Sequence, residues 1–412
     1  MDTGTMRRCD LAIVGGGMVG LSLAAALQGL PLDVVVIEPV PPESPDQPSF
    51  DERTTALSNG SRRILEGIGV WPAVDRHATP ILGIHVSDRG RFGTARLTAA
   101  EQGVPALGHT LTNRLLGAAL RDACARGGRT TLLCPASVES VDPTDQTVAL
   151  QVRGAWQGRL EARLVVAADG AQSLVRRELG IGAEVSDYRQ VAVIASLKPG
   201  RAHSHVAYER FTPDGPIAVL PLAGGRCTAV WTLEPAAAQR AMAMDDGDFM
   251  AALQDAFGFR LGRLSEPGRR FAYPLSLTRA ERQAGPRAVM IGNAAQGLHP
   301  VAGQGFNLGL RDVAVLAEVL ADELAAAGSA FDPGHAALLE RFERWREEDR
   351  GRVIGFTDGL VRLFSSKLPA IGLARDVGMV LFDLMTPAKH AFARVTMGLT
   401  GRGARLARGL PL

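Results

Sequence analysis

Residues 10–38 read DLAIVGGGMVGLSLAAALQGLPLDVVVIE, and the spacing within this stretch decides the fold. Asp10 to Val14 is a short apolar run, Leu21 to Leu27 is rich in Ala and Leu, and Leu32 to Ile37 is a second apolar run. Such a pattern predicts a buried strand, a turn, a helix and another buried strand. Gly15, Gly17 and Gly20 stand directly after the first strand and open the helix. Without side chains there, backbone amides can touch a pyrophosphate, and the helix N-terminus adds about half a positive charge facing that anion. Glu38 ends the second strand, 23 residues after Gly15. A carboxylate at that place accepts hydrogen bonds from the two ribose hydroxyls of an adenosine and repels a 2′-phosphate. The unit predicts a dinucleotide, with NAD and FAD both open at this point.

Two further strands serve the same nucleotide fold. Leu164 to Ala168 is followed by ADGAQSLVRRELG (168–180), and Ala288 to Ile291 by a Gly-rich turn and a helical run from Phe306 to Leu324. Between Pro39 and Pro48 the chain holds five prolines, which reads as a surface loop before a helix at about Ser61 to Ile68. Ile81 to Leu97 is strand-like, and Leu111 to Ala125 reads as an amphipathic helix with Leu115, Leu116, Ala119 and Leu120 on one side. Gln190 to Trp231 alternates as an antiparallel sheet does.

The expected fold class is α/β with an α+β substrate domain: a Rossmann-like dinucleotide domain from 1–80, 102–183 and 275–350, a substrate domain with an antiparallel sheet from 81–101 and 184–274, and a helical region from 351–412.

The bulk numbers exclude several classes. At 46% hydrophobic and 21% charged residues over 412 positions, the chain is neither disordered nor fibrous. A net charge of +2 gives no field that would call for nucleic acid. Cys9, Cys124, Cys134 and Cys227 form no CxxC pair, as expected of buried thiols in a reducing compartment and unlike a dithiol reductase. No metal-type spacing occurs. The N-terminus lacks a signal-peptide apolar region and no stretch approaches the ~18 apolar residues of a spanning helix, so a cytoplasmic location is expected. Residues 352–412 carry nine Lys or Arg against three Asp, interleaved with apolar residues at helical spacing. That tail either meets an anionic membrane surface peripherally, docks a partner, or packs on its own dinucleotide domain or between subunits.

The segments ADGAQSLVRRELG, DERTTALSNGSRRILEGIGVW (51–71), HVSDRG (85–90), AYERFTPDGPIAVLPL (207–222) and GNAAQGLHPVAGQGFNLGLRD (292–312) carry a family resemblance across essentially the whole chain. They resemble the class A FAD-dependent monooxygenases of the para-hydroxybenzoate hydroxylase fold, and within them the ubiquinone-biosynthesis hydroxylases, most similarly those acting on 2-polyprenyl-6-methoxyphenol. The resemblance implies FAD as cofactor, NAD(P)H as reductant, and a prenylated phenol and O2 as substrates. One oxygen atom enters the ring by way of a flavin C(4a)-hydroperoxide, giving 2-polyprenyl-6-methoxy-1,4-benzoquinol. Other proteins of the pathway are implied as partners. A sister enzyme acting at another ring position and a non-catalytic flavoprotein scaffold remain as alternatives.

By the same resemblance, Gly15, Gly17, Gly20, Glu38, Arg53, Arg114, Asp169, Gly170, Gly292, Asn293, Gly303, Gln304, Gly305 and Asn307 are expected at FAD. His299 and Pro300 near the flavin, with Phe211, Leu220 and Pro221 on the middle sheet, are expected at the catalytic pocket. The bare amides of Gly303, Gln304 and Gly305 before a helix suit the negative charge of reduced flavin, worth about 0.3 to 2 kcal/mol. Asn293 stands where much of the class has Asp, and Gln296 where many members have His, so Gln296 is given no acid-base role. Tyr208 and Glu209 both suit a phenol hydroxyl, but as neighbours on one strand only one can face the pocket.

Overall fold

The computed structural model describes residues 5–44, 47, 49–297, 304–365, 382–383, 385–399 and 403–412. Its first sheet is built on the strand Thr5–Val14, which lies between Gly158–Ala167 and Val34–Ile37 and runs parallel to both. Thr130–Leu133 and Ala288–Met290 extend the two flanks, again in parallel. Leu11, Ile13, Val35 and Val165 are buried because both faces are covered, which is why these strands read as continuous apolar runs rather than alternating ones. On one face Leu11 and Ile13 pack in the cluster with Leu21, Leu116 and Leu316, from the helices Met18–Ala26, Asn113–Arg126 and Gln304–Ala327. On the other, Ala12 and Val14 meet Val141, Leu150 and Val152 of the antiparallel pair Ala136–Pro143 and Val148–Gly154.

The second sheet has eight strands, in the order Gln296–Gly297, Phe271–Ala280, Ala183–Leu197, Cys227–Leu233, Ile217–Pro221, Val206–Phe211, Gly83–Asp88, Thr94–Thr98. It is antiparallel except where Val206–Phe211 runs parallel to Gly83–Asp88. That exception has a topological cause: the chain leaves after residue 98, adds strands to the other sheets, re-enters this one at Ala183–Leu197 and reaches its earlier hairpin only with Val206–Phe211, and such a long crossover allows parallel pairing. One face of this sheet packs Val193, Val219, Trp231 and Leu233 on Phe249, Leu253 and Phe257 of the helix Asp246–Phe257.

A small third sheet joins Thr54–Ser58, Gly108–Thr112 and Thr79–Ile81; the sequence reading did not anticipate it. Because Gly108–Thr112 is a strand, the helix expected from Leu111 begins at Asn113.

The described part of the tail packs inward. Ala393 and Met397 join Leu97, Ala99 and Leu107, Lys389 bonds Glu101 and Asp383 at 3.4 Å each, and Arg405 donates to Asp322 at 2.6 Å. No helix among the described residues is long and apolar enough to cross a membrane.

Candidate cofactor and substrate site

The glycines of the first motif are fixed by contact distance. A Cβ on Gly15, whose φ is +105°, would lie 2.4 Å from the carbonyl oxygen of Ala168, and one on Gly20 would lie 2.0 Å from the carbonyl oxygen of Gly15. Only bare backbone lets the first strand, its helix and the Asp169 turn meet this closely. A Cβ on Gly17 would approach the Ser49 hydroxyl at 3.0 Å, so the loop after the second strand closes over the same turn.

Glu38 is held at the end of its strand. Its Oε2 accepts from the Gly16 N–H at 2.7 Å, and its Oε1 from Val40 N–H at 2.9 Å and Gln47 Nε2 at 3.4 Å. An ionised carboxylate offers about four lone-pair sites. Three of them orient the group and acceptor capacity remains for a ribose.

The second motif behaves as a turn with one atom left over. Asp169 Oδ2 accepts from the N–H groups of Leu174 at 2.8 Å and Val175 at 3.4 Å, capping the helix Leu174–Glu178. Its Oδ1 is buried without a partner, and burial pushes its carboxyl above the usual range. A buried acceptor with no donor implies a ligand that brings one. Gly170 follows with φ +84° and open space at its Cα. Arg176, absent from the expected site residues, bonds Ala294 O at 2.7 Å and Ala171 O at 2.9 Å, tying the second motif to the third.

In the third motif Gly292 has φ +57°, and a Cβ there would meet Val19 at 3.0 Å, while Asn293 is exposed. Gly292 N–H and Gln296 Nε2 both donate to Asp312 Oδ2, at 2.9 and 2.7 Å. Gln296 is thus a buried turn-holder. Gly305 lies in the first turn of the helix from Gln304 with open space at its Cα. Asn307 corrects its expectation. Its side chain accepts from Ser58 N–H at 2.8 Å and donates to Ala56 O at 2.9 Å, so the amide clamps the helix to the strand Thr54–Ser58 and is not aimed at a cofactor. His299, Pro300 and Gly303 lie outside the described residues.

Arg53 stacks its guanidinium over the Tyr273 ring at 4.4 Å and bonds Asp51. Asn113 and Tyr273 converge on the same carboxylate at 3.4 and 3.5 Å. The sequence reading found Arg53 but missed Asp51, Asn113 and Tyr273, which hold it. Arg114 is spent on an exposed ion pair with Glu52 at 2.6 Å, and only its backbone N–H, bonded to Asp51 O at 3.0 Å, touches this cluster.

On the substrate sheet the expected residues separate by alternation. Pro221 pairs with Cys227, whose side chain sits in the core on the helix side, so Pro221 points away from the flavin domain and its expected place in the pocket is corrected. Leu220 and Phe211 point the other way. Tyr208 is on the helix side, edge-on to Phe257 at 6.0 Å, which leaves Glu209 on the side of Leu220 and Phe211. Among the described residues none forms an ion pair or hydrogen bond with the Glu209 carboxylate, and burial raises its carboxyl to about 7.

The bare cradle at Gly15 and Gly20, the oriented Glu38 and the orphaned Asp169 Oδ1 fit an FAD, which these residues would hold. Comparison with known proteins gives the same cofactor. The family model described as "FAD binding domain" matches residues 8–346. The chain is 39% identical to ubiquinone hydroxylase UbiL of Rhodospirillum rubrum, over 98% of this chain and 93% of that one. It is 32% identical to 3-demethoxyubiquinol 3-hydroxylase of Escherichia coli, over 96% of this chain and 100% of that one. In three dimensions it resembles p-nitrophenol 4-monooxygenase PnpA of Pseudomonas putida, with a TM-score of 0.78 at 20% identity, covering 96% of this chain and 100% of that one.

Proposed function

The chain belongs to the FAD-binding-domain family, in its group of ubiquinone hydroxylases, and on that premise we propose that it hydroxylates 2-polyprenyl-6-methoxyphenol to 2-polyprenyl-6-methoxy-1,4-benzoquinol. The observation that carries this reading is full-length similarity to a ubiquinone hydroxylase together with an apolar sheet face bearing one unpartnered carboxyl. FAD reduced by NAD(P)H supplies the oxygen chemistry, taking one atom of O2 to an electron-rich ring.

The protein's own residues bind, orient and exclude water. Gly15, whose own N–H is spent on Ile37 O at 2.8 Å, and Gly20 allow the close approach of backbone to the pyrophosphate, Gly17 opens the helix toward it, Glu38 takes the ribose hydroxyls, and Asp169 Oδ1 accepts from the cofactor. Gly170, Gly292, Asn293 and Gly305 line its path, with Gly303 and Gln304 offering backbone amides. Arg53 is held over Tyr273 by Asp51. Leu220 and Phe211 give the ring an apolar wall that keeps water from the reacting atoms. His299 and Pro300, outside the described residues, are assigned to the catalytic pocket in this reading. The division into a flavin domain (1–80, 102–183, 275–350), a substrate domain (81–101, 184–274) and a C-terminal region (351–412) is proposed with it, although the helix Ala336–Ser365 runs across the last boundary. The substrate's prenyl tail is apolar, so peripheral contact of the basic C-terminal region with a membrane, or with other ubiquinone-pathway proteins, is part of the same proposal.

A second reading has its own observation. The Escherichia coli relative is named for a different position of the ring, so hydroxylation of another ubiquinone precursor is the alternative. Expression in hosts lacking each ring hydroxylase in turn, followed by mass spectrometry of ubiquinone and its precursors, separates the two. Restored ubiquinone with loss of the accumulated methoxyphenol supports the first reading. Rescue only in a host blocked at a different ring position supports the second, and rescue in none overturns both.

A further inference from the structure

One face of the substrate sheet is defined by register. Tyr273 pairs with Ala192, Ala192 with Thr232, Val230 with Ala218, and Ala218 with Glu209. Directly paired residues share a side, as do residues two apart, so all of them project the same way. Tyr273 says which way that is, because its ring lies under Arg53 and its hydroxyl meets Asp51, both on the flavin-domain side. The opposite side is filled by the helices that pack on Tyr208, Val219 and Trp231.

On the flavin-facing side Glu209 is set among Ala207, Phe211, Ala218 and, on the next strand, Val86. The other charged groups of this face are accounted for. Asp88 sits 3.6 Å from Arg91, and Asp51 holds Arg53. Arg210, His85 and Arg96 occupy the helix side of the sheet by the same alternation. Glu209 is half-buried there, and once a ligand covers it an unpaired carboxylate is expensive unless that ligand donates a hydrogen bond in place of the water it displaces. Its place is explained if the ligand of this face carries a hydroxyl.

We propose that Glu209 is the proton acceptor for the substrate phenol. The inference rests on the phenolic substrate proposed above but not on the ring position. The carboxylate accepts the hydrogen bond of the ring hydroxyl; the phenol O–H bond breaks, a carboxyl O–H bond forms, and the freed electron pair enters the ring and enriches its carbons toward an electrophilic oxygen. No oxidant or reductant takes part in this step, and the proton returns to solvent after product leaves. Burial assists, since a carboxyl raised to about 7 is a stronger base toward a phenol of about 10 than an ordinary glutamate of about 4.3.

The test uses the FAD-loaded full chain, its Glu209→Gln variant, and 4-nitrophenol, whose anion is coloured, as the probe of ionisation. Wild type is expected to bind the probe as its anion at pH values where the variant binds it neutral. With 2-methoxyphenol as substrate, kcat of the variant is expected to fall about 10²- to 10⁴-fold with little change in KM, and to recover as pH approaches the phenol's own pKa. A merely structural role gives no alkaline recovery. A variant with the wild-type rate and the wild-type ionisation profile overturns the proposal. Should the variant fail to load FAD, the difference infrared spectrum of wild type decides: anionic probe without a new protonated-carboxyl band also overturns it. Glu209-dependent ionisation in a protein that rescues no ubiquinone-deficient host would sink the functional reading and leave this one standing.

Discussion

Arg346 donates from Nε to Asp312 Oδ1 at 2.7 Å with both side chains shut off from water, and the other oxygen of Asp312 carries the turn of the third motif through Gly292 and Gln296. Arg346 is in turn bonded to Asp349 at 2.6 Å. Burial pushes the Asp349 carboxyl up, but Arg346 and Arg311 outweigh it and hold it below the ordinary range. The pair therefore fixes the Gly292–Gln296 turn.

Replacing Arg346 by Met takes from the buried Asp312 its ion-pair partner and leaves it the hydrogen bonds of Gly292 and Gln296 alone. The expected cost is about 3 to 5 kcal/mol, read as a lower urea midpoint, with loss of bound flavin as the Gly292 turn relaxes. An unchanged midpoint and full flavin content would show that the turn does not depend on this pair.

Glu38 supports two loops before it meets any ligand. In Glu38→Ala the Gly16 and Val40 N–H groups lose their acceptor along with the proposed ribose contact. Hydrogen bonds to a charged group are worth about 1.5 to 3 kcal/mol, so FAD binding measured by flavin fluorescence is expected to weaken by about 10- to 100-fold. Glu38→Gln, which keeps one acceptor oxygen, is expected to fall between the two.

Legibility in the sequence followed the range of the interaction. The first motif was readable because strand, turn, helix and carboxylate lie within residues 10–38, and local spacing alone dictates where the bare amides fall. Asp312 and Arg346 were not, since 34 positions separate them and only the packing of two helices brings them together. The same holds for Tyr273 and Asp51, which lie 222 positions apart. Strand alternation stated the problem at Tyr208 and Glu209 but offered no way to choose a face; that needed the helix Asp246–Phe257 to cover one side. Pro221 was misplaced for the same reason. The third sheet went unseen because its strands are three to five residues long and pair over long separations.

Asn307 spends both ends of its amide on the strand Thr54–Ser58. In Asn307→Ala the Ser58 N–H and the Ala56 carbonyl lose a partner inside the protein. Each such orphan costs about 1 to 3 kcal/mol. A clear fall in the denaturation midpoint is expected, and a variant that still folds should bind FAD with little change if the side chain's role is only to clamp. A selective loss of FAD affinity at unchanged stability would restore the direct cofactor contact.

His85 and His109 give the protein an acid limit. Burial, assisted for His85 by Arg260 and Arg96, lowers its pKa to about 4, and burial with Arg62 does the same for His109. Both ring nitrogens of His85 are buried without a side-chain partner among the described residues, and burial with Arg260 and Arg96 outweighs the attraction of Asp383, so protonation is unfavourable. A base whose folded pKa lies below its unfolded value contributes stability that is fully present above the unfolded pKa, here 6.5, and lost as pH falls toward the folded one. The urea midpoint is accordingly expected to decline between about pH 6.5 and about pH 4. His85→Leu removes one titration from a site between Tyr208 and the helix-side core, and its stability should fall less steeply over that window than wild type's. Equal slopes for the two proteins would mean that His85 gains its proton without cost in the folded state.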